Sequence, residues 1–499
     1  MTDFARRHAS LRAAAAVAAL LAWSGPHASA AAPVAAQKCG TASLYDVAVP
    51  GAPFSAVATA DEKTVFVSLN ATNPRQQNGI AVLTCAAGRY RLARMIALES
   101  QPTIMAMTHD ESMLIVPDDN FIAFIDVRRA VSGKGDPLLG YIEDVPGDDG
   151  GAVYAAVSPD DRYAFISEEQ TAKLTVIDLR KLRSSHFAHD SIAAEFLIGN
   201  APVALVFSRD GKYLFATVQS ALKRYAYVKT CKPEGAPRPD AADESPGSVV
   251  TIDVAKAAAD PDHAIVSDVV AGCHPVRAAL APDGTTLWVT ARASNAVLAF
   301  STAKLIAGDA TAKLAEIPLG AAPVPVCVTP DGNYVLAGNS NRFGQGRAGD
   351  QEVVVVDARS HAIAGRFHVG KFPRQFTQTR SGSTIFLSNY GSNTVTVIDP
   401  KAIASIMKPA PCSRRHSRPA FDRPPLGERV GHERRFEAVR QPRVPLQGPP
   451  GGRGVQPVLR LAGRPRSGDH HLRLRARGLQ GGDRRAAPRR HRQGNALSR

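Results

Sequence analysis

Chains that attach haem, chelate zinc or cycle a redox dithiol carry C-x-x-C-H or C-x-x-C, and this 499-residue sequence has neither among its six cysteines. It also lacks a G-x-S-x-G nucleophile elbow, an H-E-x-x-H zinc helix and a G-x-x-x-x-G-K-[ST] phosphate loop, so those forms of catalysis have no footing here. A glycine-rich stretch at 344–349 lies among polar loop residues rather than between a strand and a helix, the setting a dinucleotide site needs. No run beyond residue 30 reaches the ~20 apolar residues of a membrane span without a charge or a proline. From Pro409 onward isoleucine, threonine, tyrosine, lysine, tryptophan and methionine are all missing.

What is present divides the chain into unequal parts. Residues 1–30 read as an export signal: Arg6, Arg7 and Arg12 precede an apolar run from Ala13 to Trp23, and Ala28-Ser29-Ala30 suits cleavage. Residues 31–39 are a short N-terminal segment, residues 40–408 the folded body, and residues 409–499 a tail. The formal charge of +15 sits almost wholly in that tail, which has 22 arginines, no lysine and 6 acids. Residues 31–408 carry about −3, so the basic balance says nothing about what the body binds. A chain of arginine, proline and glycine cannot bury enough apolar surface to fold, and the tail is expected to be disordered. Its composition resembles GC-rich DNA translated out of frame; if genuine, it is the one segment suited to nucleic acid.

The body repeats with a period near fifty residues. Each unit opens on a proline and reaches a turn acid eight residues later: Pro53 to Asp61, Pro102 to Asp110, Pro202 to Asp210, Pro275 to Asp283, Pro323 to Asp331. Ala152 to Asp160 keeps the spacing without the proline, and Pro373 to Ser381 keeps it without the acid. A second strand follows, as in TVFVSLN, YAFISEE and TLWVTAR, then a third ending in aspartate, as in KLTVIDL and SVVTIDV, then a weaker fourth. Four short β-branched strands per unit, seven times over, predict an all-β, seven-bladed propeller. One four-stranded sheet cannot bury both faces alone; radial stacking buries them. The seventh unit lacks a fourth strand, whereas LYDVAVPG at 44–51 stands as an orphan strand before Pro53, so the N-terminal strand is expected to close the ring.

The proline-to-Asp-Gly openings, strands such as LFAT and LWVT, and the ending at Ser392 to Asp399 resemble the YVTN repeat of YncE-like propellers and, more loosely, of bacterial lactonase propellers. The resemblance covers residues 40–406 and implies a fold more than a function.

In such a ring the fourth-to-first and second-to-third connections share one face. Three insertions, 71–79, 221–247 and 341–350, fall on it, which points to a binding surface there. Asp118, Asp119, Glu168 and Glu169 make one side of its mouth acidic. His274, Arg277, Arg292, Arg342, Arg374 and Gln375, with Asn339, Asn389 and Tyr390, make the other side basic and polar. Arg277 and Gln375 share one repeat position, two after the proline, and are expected to border the channel. A guanidinium fork suits an oxyanion, so an anionic small molecule or a partner's carboxylate side chain is the natural cargo. The function expected is an exported binding scaffold for a small molecule or protein, periplasmic or secreted and monomeric. The alternative is a lactonase-like hydrolase in which Asp118, Glu168 and Asn339 hold a divalent cation such as calcium. An exported setting favours disulfides. Cys231 in the fourth unit's insertion and Cys273 at the fifth unit's entry would meet on one face, and Cys39 and Cys85 would staple the closure. Cys327, mid-strand, reads as a buried thiol, and His109 as a turn residue.

Overall fold

The computed structural model describes residues 39, 42–98, 100–143, 151–222, 227–234, 242–342, 344 and 351–407. Residues 1–30, read from sequence as an export signal, Cys412 and the arginine-rich tail lie outside the described residues. Seven four-stranded antiparallel sheets form the blades of a β-propeller. The first blade is built from Ala52–Ala58, Thr64–Asn70, Gly79–Ala86 and Arg89–Ile96 in sequence order, and the next five follow that plan. In the seventh, Pro373–Gln378, Ile385–Asn389 and Thr394–Ile398 are completed by Leu44–Ala48, paired antiparallel so that Leu44 faces Ile398 and Ala48 faces Thr394. The ring therefore closes through its N-terminal strand, as its sequence predicts.

The turn acid has a definite job. The hydroxyl two residues earlier donates to it in five blades: Thr59 to Asp61 at 2.7 Å, Thr108 to Asp110 at 2.6 Å, Ser158 to Asp160 at 2.6 Å, Ser208 to Asp210 at 2.7 Å and Thr329 to Asp331 at 2.5 Å. Each carboxylate also accepts a backbone N–H two residues on, which fixes the turn. In blade seven Ser381 replaces the acid, and Ser381 and Ser383 instead donate to the Glu62 carboxylate of blade one.

The aspartate that ends the third strand is a helix cap, which strand periodicity does not reveal. Asp126, Asp178 and Asp253 accept backbone N–H groups of the one-turn helices Val127–Ser132, Leu179–Ser184 and Val254–Ala259. These helices carry the chain from third to fourth strand on the outer side.

Stability resides between blades. Seven apolar clusters occupy the seven blade interfaces, each joining the second and third strands of one blade to those of the next. At 25 cal/mol per Å2 of apolar area, such continuous burial is what holds the sheets together. A hydroxyl from the second strand then sets the stagger. Ser68 donates to the Thr103 carbonyl at 2.6 Å, Ser167 to Val203 at 2.8 Å, Thr290 to Val324 at 2.6 Å and Ser388 to Phe54 at 2.8 Å, in each case one blade onward. Blade six has Gly338 at this position, where a Cβ would stand 2.6 Å from the Pro325 ring.

Both expected disulfides are formed: Cys39–Cys85 with Cα atoms 5.8 Å apart, and Cys231–Cys273 at 5.5 Å. Cys327 is a free, buried thiol. His109 sits in a turn on the face away from the insertions and pairs with Asp161 of the next blade at 2.8 Å. Among the described residues no helix is long and apolar enough to cross a membrane.

Candidate functional site

The first strand of each blade runs along the central channel, so the residues just after its opening proline come nearest the axis. In blades one to four these are apolar: Phe54, Ile104, Val153 and Val203 pack together, with Tyr154 and Tyr390 against them. On the other side the charge appears. Arg277, only 5% exposed, donates from Nε to Oε1 of Gln375 at 2.7 Å and from its terminal nitrogen to the Val276 carbonyl at 2.9 Å. Blade five thus reaches blade seven past blade six. From blade three, Tyr154 lies against the same Gln375 and the Arg277 charge; burial pushes its hydroxyl pKa up, while those two neighbours pull the other way. Burial, with further repulsion from Arg292 and Arg342, holds the Arg277 guanidinium below its usual range, and Tyr154 and Glu169 oppose the fall. Arg277 stays a cation at neutral pH.

Arg374, from blade seven, is held by rings instead. Its guanidinium carbon lies 3.9 Å from the centroid of Phe54, 5.1 Å from Tyr390 and 5.3 Å from Phe372. It makes no hydrogen bond to any described residue, and its Nε is a buried donor without a partner. Burial, then the charges of Arg277 and Arg342, depress its pKa strongly. Buried donors are nearly always bonded, so the unpartnered Nε of a guanidinium stacked on three rings is exceptional.

Beside it runs a chain of bonded groups. Glu169 accepts from Gln219 at 2.7 Å, Gln219 accepts from Arg292 at 2.9 Å, and Arg292 closes on Glu234 through two contacts, Nε to Oε1 being 2.7 Å. His274 stands between Glu234 at 3.3 Å and Glu244 at 3.2 Å. Burial would raise the Glu234 pKa, but hydrogen bonds from His274 and Arg292 win and lower it. Glu234 and Glu244 belong to the insertion of blade four, which the Cys231–Cys273 bridge ties to the strand entry carrying His274. The disulfide thereby sets a buried ion pair at the mouth.

A cavity of about 330 Å3 opens between these groups on the face with the insertions. Arg374, Tyr390 and Phe54 form one side; Asp119, Glu169 and Gln170 form the other; Asn70, Gln101 and Thr103 lie between. A larger groove of about 610 Å3 is on the opposite face, among the turns of blades three and four around Asp160 and Asp210.

Of the residues singled out by sequence, Arg277, Gln375 and Arg374 are brought together, Tyr390 lines the cavity with Arg374, and Arg292 with His274 form the neighbouring ion-pair chain. Asp118 and Glu168 go elsewhere. Both are fully buried and neither lines the cavity. Glu168 accepts the hydroxyls of Thr171, at 2.6 Å, and Thr175 inside its own blade. The cavity takes their neighbours Asp119 and Glu169, which lie just past the ends of the strands Met113–Asp118 and Tyr163–Glu168 and are exposed. Asn389 likewise turns into its blade, donating to Thr396 at 2.7 Å and Thr394 at 3.1 Å. Asn339 is buried beneath Gly320, its carbonyl oxygen unbonded. Asp118, Glu168 and Asn339 belong to three separate blades and none of them lines the cavity, and no group of three His, Cys, Asp or Glu among the described residues could hold a metal ion. Sequence reasoning missed Tyr154, although it shares the repeat position of Arg277 and Gln375, and missed Glu234, which no spacing connects to Arg292.

No family model matches the chain, and no curated protein does. Among solved structures, Kuenenia stuttgartiensis hydrazine synthase is similar at 19% identity, with a TM-score of 0.51 over 70% of this chain and 96% of the other. A Bacteroides uniformis protein provisionally described as a 6-phosphogluconolactonase gives 18% identity and a TM-score of 0.47 over 65% and 89%. Likeness at this level concerns the propeller alone.

Proposed function

We propose that this chain is an exported binding propeller that takes an anionic small molecule, or a partner's carboxylate, at the mouth on its insertion-bearing face. The observation that carries the reading is Arg374: a cation positioned by three aromatic rings, lining a cavity, with its buried Nε unpartnered. Arg277 and Arg342 add to the positive potential, which exceeds what Glu169 offsets. An oxyanion seated there would receive the bidentate geometry that guanidinium provides. Export is supported by the leader-like N-terminus and by the two disulfides, which fit an extracellular or periplasmic protein.

The hydrolase alternative has less behind it, since Asp118 and Glu168 are buried and neither lines the cavity. The test is a thermal-shift titration of the protein with small carboxylates and phosphate monoesters. A saturable rise in the midpoint that disappears in Arg374→Met supports the reading. No shift with any oxyanion, or the same shift in the variant, refutes it. Lactone turnover that depends on calcium and is abolished by Asp118→Asn with Glu168→Gln would establish the hydrolase instead.

A further inference from the structure

The cavity is polarised, and its two ends do not satisfy each other. Arg374 lies at one side with no hydrogen bond to a described residue. At the other side, Asp119 stands just past the end of its strand in a left-handed backbone conformation, φ 62°, where it is exposed and its carboxylate has no partner among the described residues. Next to it, Glu169 uses one oxygen on Gln219. Neither acid forms an ion pair with Arg374, although both line the same 330 Å3 space. The rest of the lining mixes polar Asn70, Gln101 and Thr103 with Phe54, Ala152 and Val153, the last three buried.

A simple anion would answer Arg374 but gain nothing from Asp119, whose charge has the same sign. A simple cation would reverse the problem. A molecule with a charge of each sign, separated by a short spacer, answers both ends at once. The volume, at the low end for ligand sites, limits it to something the size of an amino acid or dipeptide. We propose that the ligand is zwitterionic, with its carboxylate on Arg374 and its ammonium on Asp119 and Glu169. This rests on reading Arg374 as an anion site.

Calorimetric titration of the full chain decides it, using glycine, β-alanine, γ-aminobutyrate and ε-aminocaproate beside acetate, propionate, butyrate and caproate, with n-butylamine as the cation alone. At least one zwitterion is expected to bind about tenfold or more tighter than its des-amino partner. Asp119→Asn is expected to bring that ratio towards one, and Arg374→Met to abolish binding. Carboxylates that bind as tightly without the amine overturn the zwitterion and leave the anion site standing. Binding of n-butylamine equal to that of γ-aminobutyrate also overturns it. If nothing in either series binds, both readings fall.

Discussion

Arg277 and Gln375 are joined at 2.7 Å across the channel, from blades that are not neighbours. The amide oxygen is the only side-chain acceptor described for a guanidinium that is 5% exposed. Gln375→Leu removes it and leaves a buried charge short of a partner, a loss of about 1–3 kcal/mol. The unfolding midpoint of that variant should fall by a few degrees. Arg277→Met removes the charge together with its need for a partner, so it should destabilise less. Melting curves of the two variants in the opposite order would mean that the contact is incidental.

Deletion of residues 40–50 should cost the protein its solubility. The deletion strips five paired residues from blade seven and exposes the Thr394–Ile398 edge. Tyr45, Val47 and Val49 leave the cluster between blades seven and one, and the Tyr90 amide loses the Tyr45 hydroxyl to which it donates at 3.1 Å. Recovery in the soluble fraction and the melting transition report the outcome; an unchanged transition would show that the ring holds without its closing strand.

The two disulfides should separate stability from binding. They close loops of 42 and 46 residues, so in the chain-entropy model either pair of Cys→Ser changes removes a similar stabilisation of about 4 kcal/mol. Only the loss of Cys231–Cys273 frees Glu234 from Arg292 and His274, placing a loosened insertion over the mouth. Anion affinity should therefore change in the Cys231, Cys273 variant and not in the Cys39, Cys85 variant, read by the same titration.

Acid should unfold the ring through its turns. Against partial burial, hydrogen bonds hold the Asp110, Asp160 and Asp331 carboxyls below their ordinary value, and the hydroxyls of Thr59 and Ser208 do the same at Asp61 and Asp210. Because each folded pKa lies below the unfolded one, the unfolded chain binds protons first as pH drops. The stabilisation is whole above about pH 4 and is lost below it as pH falls through the folded values. Urea midpoints measured from neutrality to about pH 2.5 should fall in that window. Asp160→Asn should flatten the fall, and a variant as steep as the parent would exclude the turn as a source.

How much of this the sequence disclosed depends on whether the signal was periodic. The blade count, the closing strand and both disulfides follow from a fifty-residue repeat, because a repeat fixes which face each connection reaches. Within the mouth, Arg277 and Gln375 were found through their shared repeat position. On the acidic side Asp118-Asp119 and Glu168-Glu169 are doublets, and nothing in the sequence marks which member ends the strand and is buried and which, one residue on, lines the cavity. Of the three rings around Arg374, Phe372 and Tyr390 belong to its own blade, and only Phe54 is brought to it from blade one by closure of the ring. Glu234 comes from a long insertion whose path has no period at all.

The closing strand has a consequence in time. Asp46 and Thr396, whose side chains bond across the seam at 2.5 Å, are 350 residues apart. The segment synthesised and delivered early is thus satisfied only when almost the whole body has arrived. Contacts of such long sequence separation slow folding, and until they form an apolar strand and an open sheet edge wait unpaired. Folding should finish with one slow, all-or-none seam event, and the interval before it is when the chain most needs an escort.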